Sequence, residues 1–163
     1  MDLSSYIAGF VDGEGCFTVS FSPRSNLLLG WEVRPSFSVS QNGDRSEVLL
    51  LMRQHFACGS LRPDRSDRTI KYEVRRFDDL VGRIIPFFET YPLLSSKQRD
   101  FERFAVICKL VQSRVHRSEA GLREIVGLAV TMNPSGKRKF ATAAIFPEAA
   151  EVIVSATSNG GST

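Results

Sequence analysis

The chain has 163 residues, 42% apolar and 24% charged, an ordinary globular balance with enough apolar material for a real core. Its 21 Lys and Arg against 18 Asp and Glu leave a net charge of only +3, but basic residues gather at Arg62 to Arg76 and Lys137 to Lys139, so local patches matter more than the total. Three cysteines without a CxxC spacing argue against a disulfide framework or a zinc site, and neither a signal peptide nor an unbroken apolar span is visible.

In chain order, Tyr6 to Asp12 reads as a short apolar helix that Gly13-Glu14-Gly15 stops. From Cys16 to Ser22 apolar and polar residues alternate, and Trp31 to Gln41 repeats the alternation. The two runs predict a hairpin of half-buried strands whose loop holds Pro23, Asn26 and Gly30. Asp44 or its neighbour is the expected cap of a helix through Val48, Leu49, Leu51, Met52 and Phe56, ended by Cys58-Gly59. Strand-like runs return at Ser60 to Arg65 and Thr69 to Arg76, joined by Ser66-Asp67, and a helix follows from Asp78 to about Thr90.

The order to that point is αββαββα, an α+β fold with a four-stranded antiparallel sheet covered by helices on one face. Two additional C-terminal helices are expected, roughly Lys97 to Val115 and Ser118 to Asn133. Residues 1–154 read as one domain and 155–163 as a disordered tail.

The uncovered sheet face carries donors and acceptors of the kind that read base edges in a major groove. Its candidates are Thr18, Ser20, Ser22, Arg24, Asn26, Glu32, Arg34, Ser36, Ser38 and Ser40 from the first hairpin, with Arg62, Arg65, Arg68 and Lys71 from the second. Alternation alone reads more simply as a solvated face. Lys137, Arg138 and Lys139 form a loop triplet suited to phosphate contacts or to plain solvation. His55 and His116 have no ligand spacing and read as ordinary residues.

Gly9 and Gly13 lie four apart, as do Ala8 and Asp12, which groups small residues on one side of the first helix. A glycine inside a helix costs about 1 kcal/mol relative to alanine, so two in succession call for close approach of another backbone. With a second copy of the same helix as partner, Ala8, Gly9, Asp12 and Gly13 become the dimer interface, and Glu14 meets its symmetry mate. Two facing carboxylates repel unless an oxygen-ligating divalent cation sits between them, and Mg²⁺ takes few carboxylates plus waters and phosphate oxygens.

The whole string Tyr6-Ile-Ala-Gly-Phe-Val-Asp-Gly-Glu-Gly-Cys-Phe17 closely resembles the motif of the LAGLIDADG homing endonucleases in its Gly-Phe-Val-Asp-Gly-Glu-Gly form. The resemblance extends through Phe37-Ser-Val-Ser-Gln41, Arg45, Gly59-Ser-Leu, Lys97-Gln98, Met132-Asn133 and Gly136-Lys-Arg-Lys139, in the order of the single-motif branch. It implies an intron-encoded, homodimeric nuclease whose saddle-shaped sheet binds double-stranded DNA at a long pseudo-palindromic site. Such an enzyme makes a staggered double-strand break with Mg²⁺, and Mn²⁺ or Ca²⁺ can substitute for binding.

By the same resemblance Glu14 is the direct metal ligand with the Gly13 carbonyl beside it, and Asp12 is a structural acid at the helix end. Gln41, Arg45 and Lys97 are the peripheral groups that order solvent and stabilise charge on the scissile phosphate. An RNA maturase acting on its host intron is the main alternative on the same scaffold, and a non-catalytic DNA-binding module is another. The place of work is expected to be intracellular, a prokaryotic cytoplasm or an organelle.

Overall fold

The structure, a computed structural model, describes residues 2–64, 67–134 and 142–146. Helix α1 (Leu3–Glu14) is capped by Asp2, whose carboxylate accepts from the amides of Ser4 at 3.4 Å and Ser5 at 2.9 Å. It does not stop before Gly13: it continues through Glu14 and passes at Gly15 directly into β1 (Gly15–Pro23). Gly15 is the glycine this junction requires. A Cβ there would lie 2.5 Å from Val11 Cγ1 and 2.8 Å from the Val11 carbonyl oxygen.

Strand β1 pairs antiparallel with β2 (Trp31–Asn42), Phe17 opposite Phe37 and Thr18 opposite Ser36. After a 3₁₀ turn (Gly43–Arg45), α2 (Glu47–Phe56) has Ser46 as its N-cap residue and not Asp44, which lies inside that turn. It ends at Phe56, the last residue expected in it, with Ala57 left-handed, and the Arg83 guanidinium donates to the Phe56 carbonyl at 2.9 Å. Gly59, at φ +78°, lets the chain pass so close to a later strand that a Cβ would meet Tyr72 and the Glu73 carbonyl.

Strands β3 (Ser60–Pro63) and β4 (Thr69–Val74) form the second hairpin, and the sheet order is β1-β2-β4-β3. Strand β3 is shorter than the expected Ser60 to Arg65; a proline at its end has no N–H for the ladder. The Asp78 to Thr90 helix arrives in three parts. These are α3 (Phe77–Asp79), a π-helical stretch (Leu80–Ile84) and α4 (Ile85–Thr90). Pro86 cannot donate to the residue four before it, Gly82, and its ring would crowd that carbonyl, so the helix widens there.

Helices α5 (Lys97–Gln112) and α6 (Glu119–Val130) follow, both shorter than expected, with Ser118 capping α6 through the Gly121 amide at 3.1 Å. Left-handed Arg114 lies two residues beyond α5 and left-handed Asn133 three beyond α6. A short α7 (Thr142–Ile145) comes after the residues that would hold Lys137, Arg138 and Lys139, which lie outside the described residues, as do Arg65 and the 155–163 tail. No helix among the described residues is long and apolar enough to cross a membrane.

The αββαββα order and the one-sided core agree with the sequence reading. Phe17 stands at the centre of that core, its ring 5.2–5.4 Å from those of Phe37, Phe88, Phe101 and Phe104. Strand and helix aromatics thus meet on one face, and the other face of the sheet is left to Thr18, Ser20, Arg34, Ser36, Ser40, Arg62 and Lys71.

Candidate active site and nucleic-acid interface

The end of α1 brings the first group of candidates together. The Glu14 carboxylate is exposed and has no hydrogen bond or ion pair with any described residue. One residue back, the Gly13 carbonyl accepts from Lys97 Nζ at 3.1 Å, and the Val11 carbonyl accepts from the same ammonium at 3.0 Å. Burial pushes the Lys97 ammonium below its ordinary range, while the charges of Asp12, Glu14 and Asp100 oppose that shift. A single lysine from α5 therefore caps the carbonyl end of α1 beside its terminal acid.

Asp12 fixes that lysine. Its carboxylate accepts from the Leu94 amide at 3.2 Å, the Ser95 amide at 3.0 Å and Ser95 Oγ at 2.5 Å, and Ser95 Oγ in turn accepts from the Lys97 amide at 3.1 Å. Burial works to raise the Asp12 pKa, but these hydrogen bonds and the Lys97 charge outweigh it and leave the carboxyl below its ordinary range. Ser95 is a site residue the sequence reading missed, and its only local trace is its position before a helix start.

Gln41 lies at the end of β2, two residues past Val39, whose partner in the ladder is Gly15, so it shares the sheet edge from which Glu14 emerges. Its side-chain carbonyl accepts from the Asn42 amide at 2.9 Å. Arg45 is exposed in the 3₁₀ turn beyond, and no contact among the described residues joins it to Glu14 or Lys97. Asn133, also missed as a site residue, ties the end of α6 to β1: its Nδ2 donates to the Phe17 carbonyl at 2.7 Å, and its amide donates to Asp100 at 3.3 Å.

The donor set can be tested against a metal. No group of three or more His, Cys, Asp or Glu gathers among the described residues, so one chain builds no closed metal cage. What it offers at the α1 end is one free carboxylate and a peptide carbonyl. Those oxygens fit a hard, partly hydrated divalent cation that completes its shell with water, phosphate and a second carboxylate, and they do not fit zinc.

On the helix face expected to pair, Ala8 is 7% exposed and the Asp12 carboxylate accepts from the Leu94 and Ser95 amides of its own chain. Gly9 and Gly13 do face outward, with nothing within 4 Å of where a Cβ would stand. Leu3 and Tyr6 are exposed beside them, and half-buried Phe10 stacks its ring on Tyr6 at 6.4 Å, because those residues share the i, i+3, i+4 spacing of the glycines.

On the sheet face, Thr18 and Ser36 bring their hydroxyls to 3.3 Å, Ser20 Oγ donates to the Arg34 carbonyl at 3.3 Å, and Arg34 reaches Ser22 at 3.5 Å. Arg24 and Glu32 form an ion pair at 2.9 Å near the hairpin tip, while Asn26 in the loop, Ser40 on β2 and Arg68, at φ +59°, are exposed. Ser38 does not reach the surface: it is 5% exposed, between Cys16 on β1 and Glu73 on β4. Arg62 and Lys71 lie opposite each other, and both pair with Glu73, as does Arg75. Glu73 and Arg75 were missed, although Lys71-Tyr-Glu73-Val-Arg75 alternates in register with the faces already assigned.

An acid-tipped helix with two outward glycines, set at the edge of a polar four-stranded sheet, defines an endonuclease-type scaffold. The sequence profile of the LAGLIDADG endonuclease family matches residues 7–108, and the chain belongs to that family. Homing endonuclease I-ApeII of Aeropyrum pernix is 31% identical over 143 residues, covering 84% of each chain. Probable intron-encoded endonuclease 3 of Neurospora crassa is 32% identical over 127 residues, 77% of this chain, which spans only 24% of that protein's length.

Two solved structures share the fold. The I-LtrWI LAGLIDADG homing endonuclease bound to target DNA superposes with a TM-score of 0.83 at 32% identity, over 89% of this chain and 48% of that one. I-SmaMI bound to an uncleaved DNA target in the presence of calcium ions gives 0.81 at 28% identity, over 91% and 49%.

Proposed function

We propose that this protein is a homing endonuclease that hydrolyses both strands of a long pseudo-palindromic DNA site as a homodimer with Mg²⁺. The observation that carries the proposal is the exposed Glu14 carboxylate at the end of α1, unpaired among the described residues, beside a Gly13 carbonyl held by Lys97. The outward Gly9 and Gly13 stripe and the likeness to I-ApeII across most of both chains support pairing of two copies. The DNA-bound and calcium-containing relatives support a double-stranded substrate and a divalent cation.

Glu14 and the Gly13 carbonyl would hold the cation, which when bound supplies an activated water and stabilises the leaving 3′ oxygen. Lys97, fixed by Asp12 through Ser95, places positive charge where the scissile phosphate gains negative charge. Gln41 offers a neutral amide to the solvent at the same edge, and Arg45 is the more distant candidate for phosphate. The sheet face positions each half-site, with Arg34, Arg62, Lys71 and Arg75 as the donors most suited to guanine and phosphate. Residues 1–154 would form one functional domain, its gene carried in an intron and its work done where that genome resides, a prokaryotic cytoplasm or an organelle.

The test is cutting by purified protein with Mg²⁺ on a site recovered from randomised duplexes. Glu14→Gln should abolish double-strand cleavage while site binding stays within a few fold of wild type. Cleavage at the normal rate by that variant would refute the role of Glu14. Splicing of an intron RNA that persists in Glu14→Gln, without DNA cutting by the wild type, would establish the maturase instead.

A further inference from the structure

One acidic side chain on the sheet face has no part in the chemistry above. Glu73 is 5% exposed, yet it points to the polar side of the sheet and not into the core, in one cross-strand row with Ser38 and Ser60. Three cations from neighbouring rows converge on it: Arg75 at 3.0 Å, Arg62 at 3.6 Å and Lys71 at 3.8 Å. Each of those cations is itself substantially exposed. Their stems and heads cover the carboxylate, so Glu73 lies beneath a small basic canopy in the middle of the face.

The fold has no need of this arrangement. A buried carboxylate loses hydration that must be recovered from partners, and the neighbouring positions of the same row are filled by serines at no such cost. Without the acid, three like charges within reach of one another would repel and spread to separate rotamers. With it, long side chains that would otherwise lose rotamer freedom on binding are ordered beforehand. The acid also cancels one of the three charges, which reduces attraction to phosphate wherever the sequence is wrong.

On the DNA-binding role proposed above, we infer that Glu73 is a positioning residue for sequence discrimination. It aims Arg62, Lys71 and Arg75 at base edges in the middle of each half-site and restrains them from indiscriminate phosphate binding. It touches no base itself. The acid acts through its three partners.

The experiment compares wild type, Glu73→Gln and Arg75→Gln on the selected duplex and on a scrambled duplex of equal length, by fluorescence anisotropy across a salt series without divalent metal. Glu73→Gln keeps the shape and removes the charge. It should bind scrambled DNA several-fold more tightly, steepen the dependence of log affinity on log salt by about one per protomer, and lose about tenfold of the selected-to-scrambled ratio. Arg75→Gln should move scrambled binding and slope the opposite way. An unchanged ratio and slope in Glu73→Gln, while wild type discriminates, overturns the role of Glu73 and leaves the endonuclease proposal standing. Weaker binding to both duplexes by both variants marks a folding effect and overturns it equally. Wild type that fails to distinguish the duplexes sinks the DNA-binding role itself.

Discussion

Replacing Gly9 by leucine separates the stability of one chain from the pairing of two. Within the chain, a Cβ at Gly9 would meet nothing within 4 Å, so a side chain can leave the backbone freely and a poor helix former is replaced by a good one. The folded monomer should gain roughly 0.5–1 kcal/mol. Between chains the sign reverses. Overfilling a close-packed contact costs about 1–3 kcal/mol, and two-fold symmetry imposes it twice, so the dimer should weaken by roughly 2–6 kcal/mol. That corresponds to an increase in the dissociation constant from about thirtyfold to more than about ten-thousandfold.

Sedimentation equilibrium reads the association, and chemical denaturation over a dilution series reads monomer stability free of the contribution that dimerisation makes by mass action. Plasmid cleavage should disappear with the dimer. Gly15→Ala is the internal contrast, because its Cβ would strike Val11 at 2.5 Å and should destabilise the monomer. A Gly9→Leu chain that stays dimeric at wild-type concentrations, or a monomer less stable than wild type, would refute the assignment of the outward stripe to pairing.

Two more outcomes follow from the site and the core. Lys97→Met removes the donor to the Val11 and Gly13 carbonyls and should slow single-turnover cleavage by roughly 10²–10³-fold with little change in site affinity; cleavage within a few fold of wild type would exclude Lys97 from the chemistry. Burial, aided by the Arg117 charge and opposed by a backbone hydrogen bond with Val111, holds the His116 imidazole below its ordinary 6.5, and its Nδ1 is buried without a partner among the described residues. The neutral ring therefore contributes stability that is present above that pH and lost as pH falls. His116→Phe should flatten the decline in denaturation free energy between about pH 7 and pH 5, and an unchanged slope would exclude this ring as its source.

The strands were legible because alternation is a local property: the faces read for Thr18, Ser20, Arg34 and Ser36 are the faces observed. Helix ends were not. Gly13 looked like a stop, but a helix whose final carbonyls are met by a lysine from α5 can run on to Glu14. The widening at Leu80–Ile84 depends on the fit of Pro86 against Gly82, which hydrophobic periodicity does not report. For the site, the motif pointed to Glu14 and the family resemblance to Lys97, but the links that set their geometry join Asp12 to Ser95 and Asn133 to Phe17 across long separations. The burial of Ala8 was not legible for a related reason: spacing tells which residues share a face, not how far the rest of the chain will cover it.

Those links decide what the end of α1 can transmit. Gly9 and Glu14 lie five residues apart on one helix, about 7.5 Å along its axis, so a displacement at the stripe carries the acid with it. Lys97 is hydrogen-bonded to two carbonyls of the same helix, and Asp12 of that helix holds the turn from which α5 begins. The lysine must then travel with α1 and keep its place beside Glu14 whatever happens at the interface. Glu14 and Lys97 form a unit preserved within the chain, and in the proposed dimer pairing would determine only where two such units stand relative to each other and to the DNA strands. A monomeric Gly9→Leu chain should consequently keep its Lys97 contact intact and still fail to cut.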